Sequence, residues 1–269
     1  MMRGMFAAIS GLKAHQIKLD ATANDIANVN TIGYKSSRVT FRDSLAQLQR
    51  GGAASGNATG GGSNAAQVGL GVTLGSIDNQ MQSGALQSTG APLDLAIQGE
   101  SFFRVSTTPG AADQVQYTRA GNFTTNAAGE VVTQDGYYVL DAAGAKITVP
   151  PGSTGVAVGQ NGQVSYIPQG GGNRATAGTI SIAAFPNAAG LERVSGNRWS
   201  VGPNSGTPAT GLPGQGNFGT IVSGAVEMSN VDLSTSSTDM ITAQRGFQAN
   251  SRVISTSDEM LQDLVNLKR

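Results

Sequence analysis

Large apolar side chains return every seven residues at both ends of this chain and nowhere between: Met5, Leu12, Leu19 and Ile26 near the start, and Leu233, Met240, Phe247, Ile254 and Leu261 near the end. A seven-residue interval keeps such residues on one stripe of a helix, and holding the stripe straight requires a left-handed supercoil against another helix. The companion heptad positions are poor, being Ile9, Gln16 and Ala23 in the first segment and Gln244, Ser251, Asp258 and Val265 in the second. Helices of this kind are marginal alone and order on assembly. The plainer alternative is an amphipathic helix of period 3.6 on its own core; the repeat at both termini favours the supercoil.

Between the ends the pattern changes. The first helix is expected from about Arg3 to Asn28, stopped by Asn28, Asn30 and Gly33. Tyr34 to Leu48 reads as an irregular or extended arm with anchors at Val39, Phe41, Leu45 and Leu48. Residues 51–66 are Gly, Ala, Ser, Thr and Asn only, too little apolar surface to offset the entropy of ordering, so a flexible loop is expected. From Val68 to Val226 the period becomes two. Asn161-Gly162 between Val156-Ala157-Val158 and Val164-Ser165-Tyr166 predicts a type I′ hairpin, Asp135-Gly136 and Asp141-Ala142-Ala143-Gly144 mark further turns, and Ile180, Ile182 and Ala184 alternate as on a half-buried strand. Gly202 to Gly219 reads as a long loop, followed by a strand from Ile221 to Met228. Asp232 and Ser234 are N-cap candidates for a helix of about 33 residues, roughly 50 Å long.

The expected fold class is therefore α+β: long N- and C-terminal helices packing together, coiled-coil-like, around an all-β middle domain with an extended connecting arm. The expected divisions are an N-terminal helix over 1–30, an arm over 31–92 carrying the loop 51–66, a β domain over 93–226 and a C-terminal helix over 227–269.

With 38 Gly and 5% aromatic residues in 269, core material is thin and stability must come partly from neighbours. Formal net charge is zero and no basic run occurs, which removes the footprint of a nucleic-acid or anionic-membrane partner. Without cysteine there is neither a disulfide framework nor thiolate chemistry. No apolar run approaches a membrane span, and Met1 to Leu12 lacks a cleavable-signal pattern, so any export is expected to proceed without cleavage.

Catalytic chemistry is not announced. His15, the single histidine, falls off the apolar stripe and reads as a solvated or interface side chain. Asp258, Glu259 and Asp263 sit on the exposed side of a helix, where i,i+4 or intermolecular contacts are expected rather than a metal site. Gly60, Gly62 and Ala65 match a loose dinucleotide pattern without the strand and helix it needs, and Asn57-Ala58-Thr59 and Asn122-Phe123-Thr124 match a glycosylation acceptor too short to carry weight. No catalytic, metal or cofactor residue and no small-molecule substrate is assigned. A surface adhesin or carbohydrate-binding β module is the rival reading; it requires exposed aromatics, and Trp199 and Tyr137-Tyr138 are the ones available.

The segment Asn24-Asp25-Ile26-Ala27-Asn28-Val29-Asn30-Thr31-Ile32-Gly33-Tyr34-Lys35 closely resembles the N-terminal signature of bacterial flagellar rod and hook proteins. The resemblance continues through Leu93-Asp94-Leu95-Ala96-Ile97-Gln98-Gly99 with Phe102-Phe103, Tyr117-Thr118-Arg119-Ala120-Gly121-Asn122-Phe123, Ser229-Asn230-Val231-Asp232-Leu233, Met240-Ile241 and Ala243-Gln244-Arg245-Gly246-Phe247-Gln248-Ala249-Asn250. It spans almost the whole chain in the family's order. It implies a structural subunit of the flagellum, a homopolymer whose terminal helices form a tubular inner core around an export channel, with the β domain outside. It also implies export by the flagellar apparatus without a cleaved signal, a cap protein for assembly, and adjacent rod, hook or junction proteins as neighbours. The self-assembly interface is then Met5, Leu12, Leu19, Ile26, Leu233, Met240, Phe247, Ile254 and Leu261, with Asn24, Asn28 and Gly33 setting the helix end. The single short β domain and the stretch from Asp43 to Val72 look like the distal rod protein. Residues 51–66, Arg38-Val39-Thr40-Phe41 and Leu264-Val265-Asn266-Leu267-Lys268-Arg269 look most like compact hook proteins of Gram-positive bacteria, and on them hook is favoured over rod.

Overall fold

The computed structural model describes residues 2–52, 62–111 and 114–267. Most of the Gly-rich loop, with Gly60 and Asn57-Ala58-Thr59, lies outside the described residues. The chain divides into two compact units, one of Met1–Ile26, Ser37–Asp78 and Asp232–Arg269, the other of Ala27–Ser36 and Asn79–Val231.

In the first unit, helices α1 (Met2–Ala27) and α2 (Leu233–Asn266) run antiparallel. A Cβ on Gly11 would stand 2.8 Å from the Asn250 amide, one on Gly246 would stand 2.5 Å from the His15 ring, and Lys18 Nζ meets Asp239 at 2.8 Å. These contacts set the register. The seam is filled by small and polar groups, with Ala8, Gly11, Ala14 and Thr22 buried on α1 and Ala243 and Ser257 on α2. Glycine at the crossing is what lets the two backbones approach so closely. The companion positions Gln16, Ala23, Gln244, Ser251, Asp258 and Val265 are all exposed, so the seam is displaced from the expected heptad positions. Asp232 caps α2: its Oδ1 accepts the Ser234 amide at 2.9 Å and its Oδ2 the Thr235 hydroxyl at 2.9 Å.

The arm, expected to be irregular or extended, is extended and forms two ribbons. Strand Ser37–Asp43 pairs with Val72–Asn79, and Ala46–Arg50 pairs antiparallel with Ala66–Gly69. Of the expected anchors, Val39 is half-buried, whereas Phe41, Leu45 and Leu48 are exposed.

The second unit is all-β. Its largest sheet has nine strands, ordered Glu192–Val194, Arg198–Ser200, Val115–Thr118, Phe102–Ser106, Tyr138–Val139, Val131–Val132 and Thr124–Thr125, with Ile182–Ala184 joining Phe102–Ser106 to Ala209–Gly211. Strands Thr154–Val158, Gln163–Ile167 and Ala175–Thr179 form a second sheet. Two ribbons bring the chain's late strands onto early ones: Thr220–Ser223 on Leu95–Gln98, and Ala225–Glu227 on Leu86–Ser88. The strand Phe102–Ser106 is buried on both faces, giving Phe103 and Val105 to the main core and Phe102 to a smaller cluster with Tyr117, Leu191 and Trp199.

Three sequence expectations change in detail. The hairpin at Asn161-Gly162 forms, with Val158 opposite Val164, but its turn is not type I′. That turn needs positive φ at two residues, and Gly162 has it (+77°) while Asn161 does not. Instead Gly162 N donates to Gly159 O and Gly159 N to Gln163 O, a longer turn closed by a left-handed glycine. The same pattern closes Thr133–Gly136 and Asp141–Gly144. Residues 180–183 are all buried and Ala184 is half-buried, because small Ser181 and Ala183 fill the face expected to be open. The stretch 202–219 is interrupted by the strand Ala209–Gly211.

Hydrogen bonds from the Thr235 hydroxyl, then from the Ser234 and Thr235 amides, hold the Asp232 carboxyl below its ordinary value of 3.8. Because the folded value is the lower one, the cap stabilises the helix above pH 3.8 and is lost as pH falls through the folded value. Protection factors of the Ser234, Thr235 and Ser236 amides, which remove the intrinsic slowing of exchange in acid, should therefore fall as pH drops through the folded value, and should be low at every pH in Asp232→Ala.

Candidate functional site

The apolar stripe is left largely outside the helix pair. Met5, Leu12, Leu19 and Ile26 are half-buried, as are Met240, Ile254 and Leu261, while Leu233 is 48% and Phe247 37% exposed. Small seam residues take the inner face, and the heptad residues flank it. Asn24 is exposed; Asn28 Oδ1 accepts the Thr31 hydroxyl at 3.0 Å in the turn that follows α1.

In the second unit the family-like segments converge on one buried cluster. Lys35, Arg119 and Glu227 have side chains no more than 1% exposed. Glu227 Oε1 accepts from Lys35 Nζ at 2.7 Å and from the Gly84 amide at 2.9 Å, and its Oε2 accepts from Arg119 Nη1 at 3.1 Å. Lys35 also donates to Gln82 O at 2.6 Å, and Arg119 to Gly99 O at 2.6 Å while lying over the Phe102 ring. Burial pushes Lys35 below its ordinary value of 10.5, against the opposing pull of Glu227, and lowers Arg119 for the same reason. Two cations and one carboxylate therefore share a dry site. Its polar atoms are extensively paired, which is the condition for tolerating such a group at all.

A second layer clamps the segment that carries Lys35. Gly33 N donates to the Glu227 main-chain carbonyl at 2.7 Å. Arg193 lies between the rings of Tyr34 and Trp199, at 4.6 and 4.9 Å from their centres, and donates to Lys35 O at 2.6 Å. Asn197 Nδ2 donates to Ile32 O at 2.6 Å from a left-handed conformation (φ 56°). Asn230 Oδ1 accepts the Ser36 amide and Asn230 Nδ2 donates to Gln80 O.

Sequence reasoning named Lys35 and Arg119 only as members of motifs, and Glu227 only as part of a strand. The available signal was a charge at Glu227 directly after Ala225 and Val226 in a strand otherwise apolar. Trp199 is fully buried and Tyr137 and Tyr138 are half-buried, with Arg198 stacked 3.9 Å over Tyr137, so these residues do not form the exposed aromatic platform a carbohydrate module requires. Of the two readings of His15, solvated or at an interface, its position is the second: it is half-buried against Gly246 in the helix pair.

Gly33 combines a left-handed backbone with close packing: φ is +68°, and a Cβ would stand 2.6 Å from Ala120 N and 2.7 Å from Arg119 C. Gly33→Ala should cost about 3 kcal/mol or more, from left-handed strain plus backbone displacement. Urea unfolding followed at Trp199, the single tryptophan, measures this directly.

The comparisons fall on the same segments. The description "Flagella basal body rod protein" matches residues 5–35, "Flagellar hook protein FlgE/F/G D1 domain" residues 96–166, and "Flagellar basal body rod FlgEFG protein C-terminal" residues 222–267. The chain is 48% identical to the flagellar basal-body rod protein FlgG of Bacillus subtilis, over all of both chains. It is 38% identical to that of Caulobacter vibrioides, over 99% of this chain and all of the relative. The flagellar hook protein FlgE of Treponema pallidum is 40% identical over 55% of this chain and 32% of its own length. The preference for hook over rod is thereby corrected: the similarity runs end to end with rod proteins, whereas the hook-protein match covers about half of this chain. This chain belongs to the flagellar rod and hook protein family, among the relatives of the basal-body rod protein FlgG.

Proposed function

We propose that the chain is a distal rod subunit of the flagellar basal body, polymerising into a stiff tube that transmits motor torque and encloses the export channel. The observation that carries this reading is the full-length similarity to basal-body rod proteins, set against a hook-protein match confined to about half of this chain. Its place is the bacterial flagellum, reached through the flagellar export apparatus without a cleaved signal; neighbouring rod, hook and junction proteins and an assembly cap are its partners.

The inner wall is assigned to α1 and α2. Their shared seam is used up within the chain by small residues, while Met5, Leu12, Leu19, Ile26, Leu233, Met240, Phe247, Ile254 and Leu261 remain to pack between copies in heptad register. Asn28 and Gly33 shape the exit from α1, and Asn24 lies on its exposed face. The work is mechanical, in keeping with a structural family.

Phe247→Asp discriminates. With Phe247 37% exposed in the single chain, the carboxylate stays solvated there, so Trp199 fluorescence and unfolding should match the unsubstituted protein. In a polymer the same charge is buried unpaired, a cost of several kcal/mol per subunit, so pelletable tubes should disappear. Normal assembly of the variant rejects this stripe. Straight tubes from the unsubstituted chain by cryo-electron microscopy support the rod reading, and a chain that stays monomeric under every condition overturns it.

A further inference from the structure

The buried cluster is built from residues far apart in the chain, and the single anion is the last of them. Glu227 lies 192 residues after Lys35 and 108 after Arg119. Chains are synthesised from the N-terminus, so both cations exist well before the carboxylate that neutralises them. Closing the site without it would strip water from two cations while removing the one carboxylate that bonds them both, leaving Lys35 without an anionic partner and Arg119 with only the exposed Glu100 acting on it.

We infer that Glu227 is the late key of folding: the unit of residues 27–36 and 79–231 stays open until Glu227 is available, then closes on both cations together. The main chain supports the same order. Ala225–Glu227 is the strand that completes Leu86–Ser88, Glu227 O receives Gly33 N, and Glu227 Oε1 receives Gly84 N. The segments carrying Gly33, Lys35 and Gly84 all wait on residue 227, and Arg119 waits for its counter-charge. Asn230, three residues later, then ties Ser36 to Gln80. The folding order does not rest on the rod reading and is measured separately.

The test uses the full-length chain. In synchronised cell-free translation sampled by limited proteolysis, resistance of the 79–231 unit should appear only after residue 227 has emerged; resistance of shorter intermediates overturns the proposal. Missing charge is separated from missing strand by two full-length variants. Glu227→Gln keeps the shape and should leave the 27–36 and 225–231 amides exchanging at least tenfold faster than in the unsubstituted protein. Adding Lys35→Met to Glu227→Gln removes one uncompensated cation and should recover most of the protection. Native protection in Glu227→Gln, or no recovery in the double variant, overturns the charge-based lock.

Discussion

Two buried cations sharing one carboxylate is the constraint around which the second unit is organised. Hydrophobic burial alone would leave the segment 27–36 free to slide or dissociate, because it offers the core only Tyr34 among large buried apolar side chains. The Lys35 and Arg119 pairs with Glu227 fix it in one place. A buried ion cluster is poor evidence of net stability, since dehydration consumes much of the attraction. What it supplies is intolerance of alternatives: any register that separates Glu227 from either cation strands a charge in a dry interior. Gly33 and Gly84 belong to the same constraint, because each presents main chain where a Cβ would collide.

The helix pair follows a complementary logic. Ala8, Gly11, Ala243 and Gly246 allow close approach but bury little area, so the pair gains modestly from its own seam. The larger apolar groups flank that seam at half or greater exposure, and solvent is a costly place for them. A chain with few aromatics thus distributes them unevenly: the buried aromatic and branched residues lie mostly in the β unit, while the helices carry theirs half-buried or exposed beside the seam.

Local signals in the sequence proved legible and long-range ones did not. Both helices, the Asp232 cap and the three glycine-closed turns are written in residues a few positions apart, and their positions were readable from periodicity and turn chemistry. The type I′ assignment failed because Asn-Gly has two uses: positive φ at both residues, or at Gly alone with a longer turn. The heptad read the repeating large residues correctly as a stripe, yet the intrachain seam runs through Ala8, Gly11, His15 and Gly246, because a pattern search weighs large apolar side chains and small ones decide close approach. The Lys35, Arg119 and Glu227 cluster was invisible as a cluster, since no local window contains two of its members. The hook preference arose from short local segments, residues 51–66, Arg38-Val39-Thr40-Phe41 and the tail 264–269, whereas the similarity to rod proteins extends over the full length.

The chain passes between its two units near residues 26, 36, 78 and 231. Within the second unit, three of those crossings are tied to one another: Ser36 N to Asn230 Oδ1, Gln80 N to Ser36 O, and Asn230 Nδ2 to Gln80 O. Lys35 precedes Ser36 directly and Glu227 lies three residues before Asn230, so the same segments carry the buried charges. The point these connections share is therefore the part of the unit least able to rearrange, because rearrangement would leave a buried charge unpaired. The second unit has its most restrictive electrostatics where the covalent connections enter.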